Sequence, residues 1–282
     1  MKTSVTHHVI QKLMHLPKFI GRDFLIVNVP KWSLSKPTEN EIVQTNFGFR
    51  IKINPVFDKN IENVIYERGV YEIGTVKVLQ SFLSKNDVFV DAGANIGFLS
   101  LVAAAKIGNK GQVHSFEPVP STFDILKKNK AINNFEQIKL HSFALGNKKE
   151  SVSIYAESEN RGGASIMNKH STQGIEIQVE RLDDIDAVQR IDVLKIDVEG
   201  YELEVLKGAE NKIKKNRPKL IIEYSSERTN KGEEFELYNW LLKIGEYRIY
   251  KLLKGKEQIS ELVEVKSKID LPVHDNIFCI PI

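Results

Sequence analysis

The sequence predicts an α/β fold with a doubly wound, mostly parallel sheet, and two observations support this prediction. Between residues 76 and 224, short apolar runs alternate with helical segments. This alternation is typical of parallel strands whose connecting helices cover both faces of a sheet. The first apolar run enters a glycine-rich turn, as the first strand of such sheets commonly does. The single cysteine, Cys279, excludes an intrachain disulfide and a cysteine-ligated zinc site.

Length, charge and hydropathy exclude several classes of protein. The 282 residues are enough for one large core with flanking structure. The 40 basic and 37 acidic residues nearly balance, which argues against a dedicated nucleic-acid binder. No apolar run reaches the roughly 20 residues that cross a bilayer. Residues 1–19 are broken by polar and histidine positions and do not read as a signal peptide. We therefore expect a cytoplasmic protein with no nucleic-acid partner and no stable membrane insertion.

The chain is expected to divide into an N-terminal extension, residues 1–75, and a ligand-binding domain, residues 76–282. Within the extension, residues 43–54 alternate in polarity and predict a hairpin or an edge strand. The strands predicted in the domain are residues 87–92, 112–116, 138–145, 191–197 and 219–224. The helices predicted between them are residues 96–107, with Asn95 as N-cap, 121–132 and 201–215. A helix at 234–242 and an antiparallel pair, 247–253 and 276–282, complete the domain, with a surface segment between the paired strands.

Ligands of parallel α/β sheets bind beyond the carboxyl ends of the strands. The first strand ends in Asp91-Ala-Gly-Ala-Asn-Ile-Gly97, where Gly93 permits a tight turn and Gly97 permits close helix packing. A dinucleotide fingerprint needs glycine where Asn95 stands. Asp91 would repel a pyrophosphate and suits a cationic group, such as the amino group of a methionine moiety. This loop, including Ala94, therefore favours S-adenosylmethionine over NAD.

Carboxylates end the other strands. Glu117 follows the second strand, where it can accept hydrogen bonds from both ribose hydroxyls or simply begin the turn before Pro118. Asp197 and Glu199 follow the fourth strand, and Glu223 lies at the end of the fifth. Asp197 is expected to face the ligands, whereas Glu199 can also cap the following helix.

Several runs of this sequence resemble the FkbM family of methyltransferases. The similarity is carried by VDAGANIGFLS, FEPVP, IDVLKIDVEGYELEVLKGAE and KLIIEY, with ERGVYEIGT upstream and RGGASI and DNIFC further along. It covers about residues 64–224, with the tail loosely matched and residues 1–60 outside it. The Asp-Val-Glu-Gly-Tyr-Glu block is the most specific of these runs.

The resemblance implies a class I methyltransferase sheet of order 3-2-1-4-5-7-6 and methylation of an oxygen, commonly a sugar hydroxyl. It implies S-adenosylmethionine as the cofactor. The cofactor positions that carry over are Asp91, Gly93, Asn95, Gly97 and Glu117. Ala144 and Leu145 are implied near the adenine, and Glu72 and Asp197 near the methionine end.

A hydroxyl acceptor needs a general base, for which the candidates are Asp197, Glu199 and His170. His170 follows the glycine-rich stretch 161–163, which could form a lid, although a lone loop histidine is usually just solvated. Asp197, Glu199 and Glu223 could gather around a hard cation. Because no metal-spacing motif accompanies them, we expect no metal.

Other functions remain open at this stage. They are an NAD-dependent oxidoreductase, a noncatalytic cofactor-binding module, and a methyltransferase acting on another small molecule. Methyltransferases directed at nucleic-acid amino groups often carry an Asn/Asp-Pro-Pro-aromatic turn where this chain has Asp-Val-Glu-Gly, so an oxygen acceptor is favoured. The expected partner is a small-molecule or glycan acceptor, and the oligomeric state is left open.

Overall fold

The computed structural model describes residues 36–157, 160–165, 174–226, 235–245 and 247–282. The strands are β1 (Glu41–Gln44), β2 (Arg50–Ile53), β3 (Val88–Ala92), β4 (Gln112–Phe116), β5 (Ile138–His141), β6 (Ala144–Leu145), β7 (Glu150–Glu157), β8 (Asn160–Ser165), β9 (Ile175–Glu180), β10 (Val193–Ile196), β11 (Lys219–Ser225), β12 (Tyr247–Leu252), β13 (Leu262–Glu264) and β14 (His274–Pro281). The helices are α1 (Ile61–Arg68), α2 (Ile73–Phe82), α3 (Phe98–Ile107), α4 (Pro120–Ala131), α5 (Glu202–Gly208), α6 (Glu210–Asn216) and α7 (Glu236–Ile244).

An eight-stranded mixed sheet forms the centre of the molecule and confirms the predicted α/β class. Its order is β13-β12-β14-β11-β10-β3-β4-β5. The five strands from β11 to β5 run parallel, and β14 lies antiparallel between β11 and β12. Counted along the chain and without the edge strand β13, the order is 3-2-1-4-5-7-6. Ala92 pairs with both Phe116 and Ile196, so three neighbouring strands end at one level.

Both faces of the sheet are covered. Phe89 belongs to a hydrophobic cluster with the hairpin and helices α1 to α3, whereas Val90 belongs to a second cluster with α5 to α7. Successive side chains of a strand point to opposite faces, so a strand buried on both sides is mostly apolar. This explains why β3 and β10 are short apolar runs, interrupted only near their carboxyl ends by Asp91 and Lys195. None of the described helices is long and apolar enough to span a bilayer.

The segment predicted as a hairpin or edge strand is the antiparallel hairpin β1–β2. Phe49, Ile51 and Ile53 are buried in the same cluster as the first face of the sheet. A side chain of α4 holds the outer edge of this hairpin. Asn129 donates a hydrogen bond to the backbone oxygen of Lys52 and accepts one from its backbone N–H. The hairpin is thereby fixed beside the glycine-rich turn. Helix α2 runs across residue 75, and the domain boundary placed there stays a prediction.

Residues 144–180 contain an inserted sheet that the sequence reading missed. Its order is β6-β9-β7-β8. The third strand, predicted over 138–145, is therefore wrong in extent: β5 stays in the central sheet, while β6 pairs with β9 of the insert. The glycine-rich stretch 161–163, considered as a lid, lies within strand β8, which pairs with β7. His170 lies outside the described residues.

Two helix predictions also need correction. The helix predicted over residues 96–107 is α3, which begins at Phe98 with Gly97 as its N-cap, and not at residue 96 after Asn95. Both Asn95 and Gly97 have positive φ, which a right-handed helix does not tolerate. The helix predicted over 201–215 is two helices, α5 and α6, that meet at Ala209. The break lies where Gly208 packs closely on Gly146. A Cβ on Gly208 would stand 1.8 Å from the backbone oxygen of Gly146.

Candidate functional site

A cavity, here called the strand-end cavity, opens at the carboxyl ends of β3, β4, β10 and β11. It brings together most of the residues predicted for the site. Those that line it are Glu72, Asp91, Gly93, Ala94, Asn95, Glu117, Ala144, Leu145, Asp197, Glu199 and Glu223. Gly97 is not among the lining residues, because the space where its Cβ would stand is filled by Leu126.

The glycine-rich turn lies directly against the end of the neighbouring strand. Gly93 has φ +80°, and its N–H and that of Ala94 both donate to the oxygen of Phe116 on β4. A Cβ on Gly93 would stand 1.9 Å from the backbone oxygen of Asp197. Only glycine satisfies both the left-handed backbone and this close approach. The turn therefore presents bare backbone to the cavity.

Asp91 places a buried carboxylate beneath the turn. It is 1% exposed, and its Oδ2 accepts a hydrogen bond from Ser100 Oγ at 2.6 Å. Its Oδ1 accepts no hydrogen bond from any described residue, and Lys195 Nζ lies 3.8 Å away, too far for one. Burial raises the pKa of Asp91, although Lys195 and Ser100 oppose the shift. A buried acceptor of this kind is suited to a donor or a cation from a ligand.

Lys195 links the carboxylates of two adjacent strand ends. Its ammonium lies 3.1 Å from Asp197 Oδ2 and donates to the oxygen of Gly93 at 3.4 Å. Burial alone would lower the pKa of Lys195, but Asp197 and Asp91 outweigh burial and raise it. The sequence held a signal that was overlooked: a lysine between apolar residues of a doubly covered strand needs a charged partner.

Glu117 connects the end of β4 to the glycine-rich turn. One carboxylate oxygen accepts the N–H of Asn95 and the other accepts the N–H of Val119, both at 2.9 Å. Burial raises the pKa of Glu117 to about 7, against the two backbone donors, which lower it. Each oxygen keeps a further lone pair, so the carboxylate can accept two more hydrogen bonds from a ligand diol.

The turn after β10 holds the acidic side of the cavity. Glu199 and Gly200 both have positive φ, a conformation that is costly for a non-glycine residue and frequent at functional sites. Glu202 stabilises this turn by accepting the N–H groups of Val198 and Gly200 at 3.1 and 3.0 Å. Glu202, which sequence reasoning missed, therefore holds the turn in place, whereas the capping role considered for Glu199 stays a prediction.

Three carboxylates meet above β10 and β11. Oxygens of Asp197, Glu199 and Glu223 all lie within 4.8 Å of one another. Such a group can accept hydrogen bonds from several hydroxyls or take up a proton. It could also hold a hard cation, and the expectation of no metal stays a prediction.

The insert contributes an apolar wall that no motif indicated. Ile154 of β7 and Ile177 of β9 line the cavity and pack with Val119 in a small separate hydrophobic cluster. Ala144 packs against the same cluster. Both strands alternate apolar and polar residues, which is a strand signal that the sequence reading passed over. The wall stands beside Glu117 and can cover the flat face of a ligand.

Comparisons with known proteins agree with this geometry. The family model described as Methyltransferase FkbM domain matches residues 91–249. "Methyltransferase 1" of Beauveria bassiana is 25% identical over 197 residues, covering 61% of this chain and 76% of the relative. The hexuronic acid methyltransferase AglP of Haloferax volcanii is 30% identical over 145 residues, covering 51% of this chain and 58% of the relative.

Among solved structures, the methyltransferase FkbM of Methylobacillus flagellatus KT aligns with a TM-score of 0.46 at 22% identity. The alignment covers 70% of this chain and 44% of that one. This chain therefore spans less than two thirds of that protein, and of AglP.

Proposed function

This chain belongs to the FkbM-type methyltransferases, and we propose that it is an S-adenosylmethionine-dependent O-methyltransferase. The proposed acceptor is a hydroxyl group, foremost of a sugar in a glycan or a glycosylated natural product. One observation carries the proposal. Asp91, Gly93 and Glu117, which suit the cofactor, line the same cavity as the carboxylates of Asp197 and Glu223, which suit the acceptor.

The cavity fits the cofactor around the glycine-rich turn. Asp91 offers a buried oxygen without a hydrogen-bond donor among the described residues, which suits the cationic amino group of the methionine moiety. Gly93 leaves room for close backbone approach, and Glu117 can accept both ribose hydroxyls. When bound, S-adenosylmethionine supplies a methyl group activated by a sulfonium. A dinucleotide fits less well, since its pyrophosphate would approach Asp91.

The chain's own contribution is to orient the acceptor and to receive its proton. Holding reactants in line is worth about 7–11 kcal/mol of the barrier. A carboxylate base adds roughly 10²- to 10⁴-fold in rate. Asp197 is the proposed base, because it lines the cavity and the ammonium of Lys195 stabilises its negative charge. Glu199 and Glu223 are proposed to accept hydrogen bonds from neighbouring hydroxyls.

A sugar acceptor is supported by the carboxylate cluster, which matches the several hydroxyls of a saccharide, and by the similarity to a hexuronic acid methyltransferase. A hydroxyl of another small molecule is the second candidate, because the cavity has no feature that demands a sugar ring among its described residues. Action in the cytoplasm stays a prediction from the sequence.

The first test is calorimetric titration with S-adenosylhomocysteine, with NADH as the control ligand. We expect micromolar binding of the homocysteine compound and none of NADH. Transfer of an isotope-labelled methyl group to a panel of saccharides and simple alcohols, followed by mass spectrometry, then identifies the acceptor. Preference for NADH would refute the cofactor assignment. Cofactor binding without transfer to any hydroxyl would favour a noncatalytic module.

A further inference from the structure

A lysine outside every predicted motif, Lys256, contacts two of the carboxylates that line the strand-end cavity. We propose that Lys256 is a positioning residue for the acceptor: its ammonium, anchored on Glu72, holds the carboxylate of Glu223 in place to bind the hydroxyl groups of the acceptor. The assignment rests on the proposed function and extends it to the acceptor side of the site. Sequence reasoning placed residue 256 in a charged surface segment.

The contacts of Lys256 join two elements that are distant in the chain. Its ammonium lies 2.9 Å from Glu72 Oε1, just before α2, and donates to Glu223 Oε1 on β11 at 3.1 Å. Asn276 of β14 donates to the other oxygen of Glu72 at 3.0 Å. Glu72 itself has φ +46°, a left-handed conformation that its surroundings must stabilise.

Burial makes the ammonium necessary. The side chains of Glu72 and Glu223 are only 2% and 5% exposed, and that of Lys256 is 15% exposed. Two carboxylates buried so deeply need a nearby cation to offset their lost hydration. Burial by itself would lower the pKa of Lys256, but Glu72, Asp197 and Glu223 raise it. Lys256 therefore stays charged and keeps its partners available as acceptors.

The backbone at Lys256 is held by hydrogen bonds, in addition to the ion pairs of its side chain. The N–H of Lys256 donates to Asp275 Oδ1, and its oxygen accepts the N–H of Gly74 at 2.9 Å. A Cβ on Gly74 would stand 2.5 Å from the oxygen of Gln258 and 2.8 Å from that of Lys256. The segment can lie against the start of α2 only because residue 74 is glycine. The ammonium is thus held beside Glu72 and Glu223 by a backbone whose N–H and oxygen are both hydrogen-bonded.

The position of Glu223 indicates that its ion pair with Lys256 serves acceptor binding. β11 lies two strands from β3, and neighbouring strands are about 4.8 Å apart, so its end lies about 10 Å from the glycine-rich turn. The residues proposed for the adenosine lie on the opposite side, at β3 and β4. Loss of Lys256 should therefore weaken acceptor binding far more than cofactor binding.

The test compares Lys256→Met and Lys256→Arg with Lys254→Met, an exposed lysine of the same segment. Thermal unfolding, the Kd for S-adenosylhomocysteine, and the KM and kcat for the methylated acceptor are measured for each. We expect Lys256→Met to raise the acceptor KM about 10- to 100-fold, with the cofactor Kd changed less than about threefold. Lys256→Arg should recover most of the loss, and Lys254→Met should match the wild type.

A double-mutant cycle separates positioning from folding. If Lys256 acts through Glu223, Lys256→Met combined with Glu223→Gln should be no worse in acceptor KM than Glu223→Gln alone. Additive losses, an unchanged acceptor KM in Lys256→Met, or an equal loss of cofactor affinity would each overturn the assignment. If Lys256→Met does not fold, the acceptor KM values of Lys256→Arg and Glu223→Gln test the assignment instead. An unchanged acceptor KM in Glu223→Gln would then refute it. A wild-type protein that binds no S-adenosylhomocysteine would instead overturn the proposed function itself.

Discussion

Replacing Gly93 by alanine tests whether the glycine-rich turn must lie directly against the end of β10. The added methyl group would stand 1.9 Å from the backbone oxygen of Asp197, whereas real Cβ atoms essentially never approach within 3.0 Å. The turn or the strand end must therefore move by at least about 1 Å, a distance that a close-packed interior transmits to its neighbours. Both elements that can move line the strand-end cavity.

Gly48 offers a matched control. Its φ of +86° is close to the +80° of Gly93, but a Cβ there would meet nothing within 4 Å. Alanine at either position incurs a left-handed backbone cost of about 1–2 kcal/mol. Only Gly93→Ala adds overpacking, which costs typically about 1–3 kcal/mol more. In a chain of this size, that difference lowers Tm by roughly 2–10 °C beyond the shift of Gly48→Ala.

The assay pairs thermal unfolding with titration by S-adenosylhomocysteine. Gly93→Ala should lose at least about tenfold in affinity, because a misplacement near 1 Å is large against hydrogen-bond tolerances. Gly48→Ala should bind like the wild type. Equal melting temperatures and equal affinities in the two variants would refute the close approach and the role of the turn in ligand binding.

Three further predictions concern single residues. Glu117, with a pKa raised to about 7, is ionised only above that pH, and ribose hydroxyls favour the ionised form. Affinity for S-adenosylhomocysteine should therefore fall about tenfold between pH 8 and pH 6, and calorimetry on Glu117→Gln should give a flatter profile. Asp197→Asn should keep cofactor binding within a few-fold but lose about 10²- to 10⁴-fold in kcat; equal turnover would remove Asp197 as the base. Ile177→Ala should weaken cofactor binding several-fold while Gln178→Ala, exposed on the other face of β9, leaves it unchanged; equal affinities would exclude the insert from the cofactor site.

The parallel core of the fold was predictable because burial on two faces leaves a simple trace in the sequence. β3, β10 and β11 are mostly apolar, and charged residues appear only at or near their ends, as Asp91, Lys195 and Glu223 do. The insert was not predictable in the same way. The run from residue 138 to 145 reads as one strand, yet Ala144 pairs with Val179, far along the chain. Such a break is decided by a distant partner, and local pattern carries no information about it.

The residues of the site likewise divide into those that the sequence could predict and those that it could not. Asp91, Glu117 and Asp197 were predictable because parallel strands bring their carboxyl ends to one edge, so short motifs suffice to place them. Lys256 and Asn276 come from a later part of the chain that approaches Glu72 only once the antiparallel strands have formed. Nothing in the local sequence around residue 256 distinguishes a buried lysine from a solvated one.

Lys195 and Lys256 together explain how the cavity tolerates its carboxylates and which ligands it favours. Lys195 pairs with Asp91 and Asp197, and Lys256 pairs with Glu72 and Glu223, so each cation is shared between two anions. With all four acids ionised, these groups carry two more negative charges than positive ones. The remaining field favours a cation and opposes an anion. A sulfonium-bearing cofactor relieves this imbalance, whereas a pyrophosphate would increase it, which is why charge as well as shape supports methyl transfer over hydride transfer in this cavity.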